Sequence, residues 1–267
     1  MCQLLGMNSS KLASVQFSLE GFVRRGGETD EHRDGWGIAY FEGNAHQLFQ
    51  DPLPASVSPL AEAMRRVPVR SRNIIAHIRK ATQGAVELAN CHPFARELWG
   101  RSWVFAHNGN LPANELPLDG RFSPVGTTDS EHAFCFMLQE LERRFGARQP
   151  HTEALHEALE LLNRQIAELG SFNYLLSCGQ GLFAHCSTSL YHVERAYPFS
   201  QASLIDCDLR VHFGHLNHLD DSMCVIATKP LTTGEDWAAF APGELRYFTG
   251  GTLAPGGRAR RTPSMAI

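Results

Sequence analysis

Cys2 stands directly behind the initiator methionine, and two polar motifs follow downstream: Ile75-Ala-His-Ile-Arg-Lys-Ala-Thr82 and His107-Asn-Gly-Asn-Leu111. Cysteine is small enough for an aminopeptidase to remove Met1 ahead of it. Such processing would leave a thiol and a free α-amine on one residue. Their reference pKa values are about 8.5 and about 7.7 to 8.0. Nucleophile and general base would then share a single residue, with the amine largely neutral at slightly alkaline pH. A Met-Cys start also arises by chance, so the dipeptide gains weight only from its companions.

A cysteine attacking a small amide needs donors for the oxyanion and grips for the charged ends of the substrate. Asn108-Gly109 follows an apolar stretch and can supply a side-chain amide N–H and an unobstructed backbone N–H, the usual make-up of an oxyanion hole. The same dipeptide is also among the commonest hairpin turns. Arg79 at a strand end could clamp a carboxylate through two parallel hydrogen bonds, or simply form a surface ion pair. Asp129 could hold an ammonium group, although an acidic residue is favoured in any first helical turn.

The combination resembles the class II glutamine amidotransferases, which are N-terminal-nucleophile hydrolases, and within them the stand-alone, YafJ-type members. The residues carrying the resemblance are Met1-Cys2, Asp34-Gly-Trp-Gly-Ile-Ala39, Ala76-His-Ile-Arg-Lys-Ala-Thr82, Asn90-Cys-His-Pro93, His107-Asn-Gly-Asn-Leu111 and Thr128-Asp-Ser-Glu131, in the family's order. It continues through Val225-Ile-Ala-Thr-Lys-Pro-Leu231 and Pro242-Gly-Glu-Leu245.

The resemblance implies a four-layer αββα sandwich. It makes Cys2 the nucleophile on the γ-amide of glutamine, with a thioester intermediate and release of ammonia and glutamate. Asn108 and Gly109 would hold the oxyanion, Arg79 the α-carboxylate and Asp129 the α-ammonium. Thr82 and His92 match positions lining the glutamine pocket, and the residues between Arg79 and His92 match a loop that closes over substrate. Lys80 replaces an aromatic residue often found after this arginine, and Thr228-Lys229 replaces the more usual Ser-Glu. Two other readings stay open: hydrolysis of a γ-glutamyl amide in a larger molecule, and a retired domain that binds glutamine as a regulatory module. The resemblance implies no cofactor or metal, and leaves room for a separate synthase subunit that would supply an ammonia acceptor.

These motifs need a scaffold, and the composition is that of an ordinary globular protein. Of 267 residues, 43% are hydrophobic and 19% charged, with a net charge of −4. That balance gives no electrostatic case for nucleic acid or an anionic membrane. No apolar run approaches the roughly 20 residues of a membrane span, and no signal peptide is evident, so a cytoplasmic location is expected. Seven cysteines without a CxxC pair argue against a disulfide framework or a thiolate zinc site. A single domain over 1–267 is expected, with its core at about 2–250 and residues 251–267 as a peripheral tail.

Cys2 to Gly6 reads as a strand and Ala13 to Val23 as a helix. Ile38–Phe41 and His46–Gln50 read as strands around a Gly43-Asn44 turn. Ser58 and Pro59 open a helix, and Asn73–Ile78 and Ser102–Ala106 read as buried strands. Residues 111–126 are irregular. Thr128 caps a helix with Phe134, Met137, Leu138, Leu141 and Phe145 at helical intervals, and Thr152 caps a second that Gly170 stops. Phe172–Ser177 and Leu182–His185 form a hairpin, followed by strands near 190–193, 203–205, 223–228 and 245–248. His212, His215 and His218 with Asp220 and Asp221 could suggest a metal site, but strand alternation would point positions 212 and 215 to opposite faces. Arg258, Arg260 and Arg261 lie without aromatic neighbours and make a poor RNA patch.

Overall fold

Residues 2–112, 115–215 and 218–255 are described by a computed structural model, and the arginines of the tail lie outside them. The first strand, β1 (Gln3–Ser14), sits at the centre of a seven-stranded sheet. Its antiparallel neighbours are β4 (Arg70–Ile78) and β12 (Ser222–Ala227). Beyond β4 lie β2 (Trp36–Glu42) and β3 (Ala45–Asp51), and beyond β12 lie β9 (Tyr191–Ala196) and β14 (Ala238–Ala239). A second, six-stranded sheet holds β5 (Phe94–Leu98), β6 (Arg101–Asn110), β7 (Ser171–Ser177), β8 (Leu182–Cys186), β15 (Glu244–Thr249) and β16 (Thr252–Leu253). A small three-stranded sheet joins β10 (Gln201–Leu204) to β11 (Arg210–His212) and β13 (Thr232–Thr233).

Alternation along the strands assigns the layers. Leu4, Ala39, Ile75 and Ile226 turn one way and meet Val104, Ala106, Leu175 and Leu182 of the second sheet. Leu5, Met7, Ile38, Ile74 and Ala76 turn the other way, onto α1 (Gln16–Arg24) and α2 (Pro59–Arg66). Phe105, Phe172, Tyr174 and Leu176 leave the opposite face of the second sheet for α3 (Asp129–Phe145) and α4 (Thr152–Ala167). The order is therefore helix, sheet, sheet, helix: the αββα sandwich of the N-terminal-nucleophile hydrolases. Phe105 stacks on Phe134 with ring centroids 5.0 Å apart, anchoring α3 to β6. Burying a side chain of this size contributes about 1.5–3 kcal/mol.

The helix starts follow local chemistry. Ser58 accepts a hydrogen bond from the Ala61 N–H, and Thr128 one from the Glu131 N–H. In α4, however, His151 is the capping residue, its Nδ1 accepting from the Ala154 N–H, and Thr152 is already helical. α1 begins three residues later than its sequence suggests, because β1 continues through the polar run Asn8-Ser9-Ser10 to Ser14. Asn8 donates to Asn73 Oδ1 at 2.7 Å, so pairing across the sheet overrides the weak helical periodicity there. No described helix is long and apolar enough to cross a membrane.

Candidate active site

The antiparallel register places Gln3 opposite Ile78, so Cys2 falls beside the end of β4, where Arg79 begins. Period-2 alternation puts Cys2 on the face of Leu4 and Gly6, turned toward the second sheet. Asn108 shares the face of Val104 and Ala106, turned back toward the first. The two side chains thus enter one gap, at the end of the sandwich where β1 starts and β6 finishes. Thr228 closes that gap: its Oγ1 accepts from the Leu4 N–H at 2.9 Å and lies 3.5 Å from Asn108 Nδ2.

The thiol of Cys2 is half-buried, with Sγ 3.3 Å from the Lys80 backbone nitrogen and 3.4 Å from the Lys80 carbonyl oxygen. Burial pushes its pKa up. The Lys80 N–H and the Arg79 charge oppose that shift, whereas Asp129 adds to it. At neutral pH the sulfur is therefore held as a thiol, and attack requires a base to take its proton.

Arg79 is buried and fastened from both sides. Its N–H bonds the Gly35 carbonyl at 2.8 Å and its carbonyl accepts from Asp34 N–H at 3.1 Å, while Asp34 Oδ2 receives the Ala81 N–H at 2.7 Å. Gly35 has φ +103°, a conformation that side-chain-bearing residues rarely adopt. The guanidinium donates to the carbonyls of Ala85 (2.8 Å), Gln83 (2.6 Å) and Gly84 (3.1 Å), holding the 83–85 segment over the site. A guanidinium has five N–H donors, so two remain for another partner. Gln83 Nε2 pins the same segment to Asn110 Oδ1 at 2.8 Å and the Leu111 carbonyl at 3.0 Å. Thr82 is exposed on this segment.

Asp129, at the first position of α3, is 5% exposed. Its Oδ2 accepts the Leu111 N–H at 2.8 Å and its Oδ1 the Ser130 N–H at 2.9 Å, tying the start of α3 to the end of β6. Behind it runs a line of buried imidazoles. His107 Nε2 faces the Ser171 carbonyl at 3.2 Å and must donate, so Nδ1 accepts from the Ser130 hydroxyl at 2.8 Å. His77 Nε2 donates to the His107 carbonyl at 3.0 Å, and His77 stacks on His92 with centroids 4.1 Å apart. Burial lowers all three pKa values, those of His77 and His92 far below the usual range, so the rings are neutral. His92 packs on Phe94 as well, and neither of its ring nitrogens has a hydrogen-bond partner among the described residues.

Asn108-Gly109 is not a hairpin turn. Both residues lie within β6, opposite Asn173 and Phe172 of β7. A Cβ on Gly109 would overlap the Ser171 carbonyl oxygen and the His107 ring, so glycine is required there by packing. β5 pairs with β6 only as far as Phe94–Phe105, which leaves the 106–110 stretch of that edge without a strand. Asn173 carries no motif signal in the sequence, and Asn90 and Thr228 enter it only as members of longer motifs. Asn90 Nδ2 donates to the Ala85 carbonyl at 3.0 Å and its Oδ1 accepts from the Thr127 N–H at 2.8 Å, securing the far end of the loop. These partners lie far apart in the chain, so no local spacing betrays them.

Elsewhere, Lys11 pairs with Asp220 at 2.7 Å and Asp221 at 2.9 Å, and His212 sits exposed at the end of β11. No group of three or more His, Cys, Asp or Glu side chains suited to a metal occurs among the described residues.

The αββα layering thus frames a cysteine at the head of the central strand and an Asn-Gly pair at the end of β6. The sequence matches the family described as class II glutamine amidotransferases over residues 1–266, and the chain is a member of it. It is 45% identical over 251 residues to a Haemophilus influenzae protein named "Putative glutamine amidotransferase", covering 94% of this chain and 85% of that one. It is 43% identical over 248 residues to the Escherichia coli protein named "Putative glutamine amidotransferase YafJ", covering 93% and 97%. A crystal structure of a "predicted glutamine amidotransferase" from Pseudomonas aeruginosa superposes with a TM-score of 0.75 at 39% identity, over 95% of this chain and all of that one.

Proposed function

We propose that this chain hydrolyses the γ-amide of glutamine, with Cys2 as an N-terminal nucleophile once Met1 is removed. The observation that supports this reading is the shared gap: strand alternation turns Cys2 and Asn108 into the space between the sheets that Thr228 closes, and the charges of Arg79 and Asp129 lie near enough to act on the Cys2 thiol. Sγ attacks the γ-carbonyl carbon, the carbonyl π electrons move to oxygen, and the thiol proton passes to the Cys2 α-amine. Asn108 Nδ2 and the Gly109 N–H stabilise that oxyanion, a contribution of about 3–4 kcal/mol per donor in comparable sites. Collapse expels ammonia, which takes the proton from the ammonium, and leaves a thioester. Water then adds to the thioester, losing its proton to the amine, and the departing sulfur takes it back as glutamate leaves. Arg79 binds the α-carboxylate, Asp129 binds the α-ammonium, and Thr82 and His92 complete the pocket.

A γ-glutamyl compound with a larger leaving group is the second reading, and one observation favours it. The Lys80 side chain is 42% exposed and pairs with Glu31 at 2.7 Å, so it does not cover Cys2 as an aromatic residue at this position could. Ammonia release from glutamine, measured beside glutamate release from γ-glutamyl peptides, separates the two. Ammonia delivered to a separate synthase subunit belongs to the first reading alone. Inertness toward both substrates would refute hydrolysis and leave a glutamine-binding module.

A further inference from the structure

The peptide bond between Asn108 and Gly109 has two ends. Its N–H belongs to Gly109, and in a trans peptide the C=O of Asn108 points the opposite way. That carbonyl accepts from Asn173 Nδ2 at 2.9 Å, on the β7 side of β6. The Gly109 N–H is therefore aimed away from β7, at the strip of β6 edge that β5 leaves uncovered. The orientation of one follows from the tether on the other.

Asn173 is itself fixed at every polar position. It is fully buried. Its second amide hydrogen goes to Thr188 Oγ1 at 2.8 Å, and its Oδ1 accepts the N–H groups of Ser187 and Thr188, each at 2.9 Å. Two donors and one carbonyl oxygen are thus fully used, and the side chain cannot turn without breaking four hydrogen bonds. Its amide oxygen and nitrogen are also assigned by this network, since the reverse orientation would set donor against donor.

We propose that Asn173 is a positioning residue for the oxyanion hole. It holds the Asn108–Gly109 peptide plane so that the Gly109 N–H faces the developing oxyanion, and it polarises that peptide through its carbonyl end. A hydrogen bond accepted at C=O strengthens the N–H of the same peptide as a donor, and the gain is larger where water is excluded. Asn173 touches neither substrate nor sulfur, so the effect falls on the transition state rather than on binding. The inference rests on the glutamine-hydrolase reading above.

Two variants test it side by side, Asn173→Ala and Thr188→Val. The second leaves the Asn173 side chain in place and removes the hydroxyl oxygen that accepts its second amide hydrogen. Asn173→Ala lowers kcat for glutamine about ten- to a hundredfold with KM changed less than about threefold, a loss smaller than that from deleting a donor outright. Thr188→Val gives a smaller drop in kcat in the same direction. Alkylation of Cys2 by iodoacetamide keeps its wild-type rate in both, because displacement of iodide by sulfur builds no oxyanion. Should Asn173→Ala fail to fold, Thr188→Val decides the matter alone. An active wild type whose variants keep full kcat overturns this inference and leaves the hydrolase reading standing, as does a fall in alkylation that tracks the fall in kcat. A wild type inert toward glutamine and γ-glutamyl amides refutes the hydrolase reading, and this inference with it.

Discussion

Cys2 Sγ lies 3.3 Å from the backbone nitrogen of Lys80, the residue that directly follows Arg79. The contact ties the head of β1 to the end of β4, and it sets the reactivity of the sulfur. Burial outweighs this hydrogen bond, so the thiol titrates above its ordinary value. In a chain that still carries Met1, iodoacetamide should alkylate Cys2 more slowly at pH 7.5 than it alkylates free cysteine, with the rate still climbing above pH 9. Rates measured by intact mass across pH 6–10 check this, and alkylation faster than that of free cysteine would contradict it.

Arg79 binds three loop carbonyls and keeps two donors in reserve. Lysine offers a point charge with three donors and cannot reproduce the planar fork. Arg79→Lys should raise KM for glutamine about ten- to a hundredfold, equivalent to about 1.4–2.8 kcal/mol, with a smaller change in kcat. Steady-state kinetics with glutamine provide the check. An unchanged KM would mean that the α-carboxylate is held elsewhere.

Gly109 has no room for a methyl group beside the Ser171 carbonyl and the His107 ring. Gly109→Ala must shift β6 against β7, and overpacking of this kind costs about 1–3 kcal/mol. The variant should unfold at lower denaturant concentration and lose most of its turnover, because the displaced backbone carries the proposed oxyanion donor. Wild-type stability and turnover in this variant would show that the strand end yields freely.

The same strand marks the limit of what the sequence discloses. Strand alternation, the Ser58 and Thr128 caps and the apolar faces of α3 and α4 are local signals, and they recover the layers that flank the site. Arg79 at the end of β4 was visible for the same reason: a buried run stops at a charged residue. Whether Asn108-Gly109 forms a turn or a strand was not visible, because β7 decides it from 65 positions away through the Asn108–Asn173 pairing. Thr228 stands out in its motif, but its approach to Asn108, 120 positions away, is hidden in the same way. β5 and the polar half of β1 exist through pairing with their neighbours rather than through their own propensity.

Buried neutral imidazoles make the fold sensitive to acid. Burial lowers His185 to about 4, and His77, His92 and His107 are depressed in the same direction. The unfolded chain binds these protons near pH 6.5, whereas the folded chain resists them. Stability is therefore fully present above pH 6.5 and falls as pH drops toward 4, by up to about 1.4 kcal/mol per pH unit for each group. Urea unfolding midpoints between pH 4.5 and 8 should decline steeply below about 6.5. A flat profile would mean that these rings are accessible to protons in the native state.

On the proposed reading, a thiol and a primary amine share the mature terminus and act together on a γ-glutamyl amide. The decisive experiment is intact-mass and peptide-mass analysis of the chain after incubation with a γ-glutamyl-mimicking electrophile, together with an ammonia assay on glutamine. The expected result is a chain lacking Met1, one adduct on Cys2 and ammonia release that Cys2→Ala abolishes. Retention of Met1 in a chain that still hydrolyses glutamine, or turnover that survives Cys2→Ala, would contradict it.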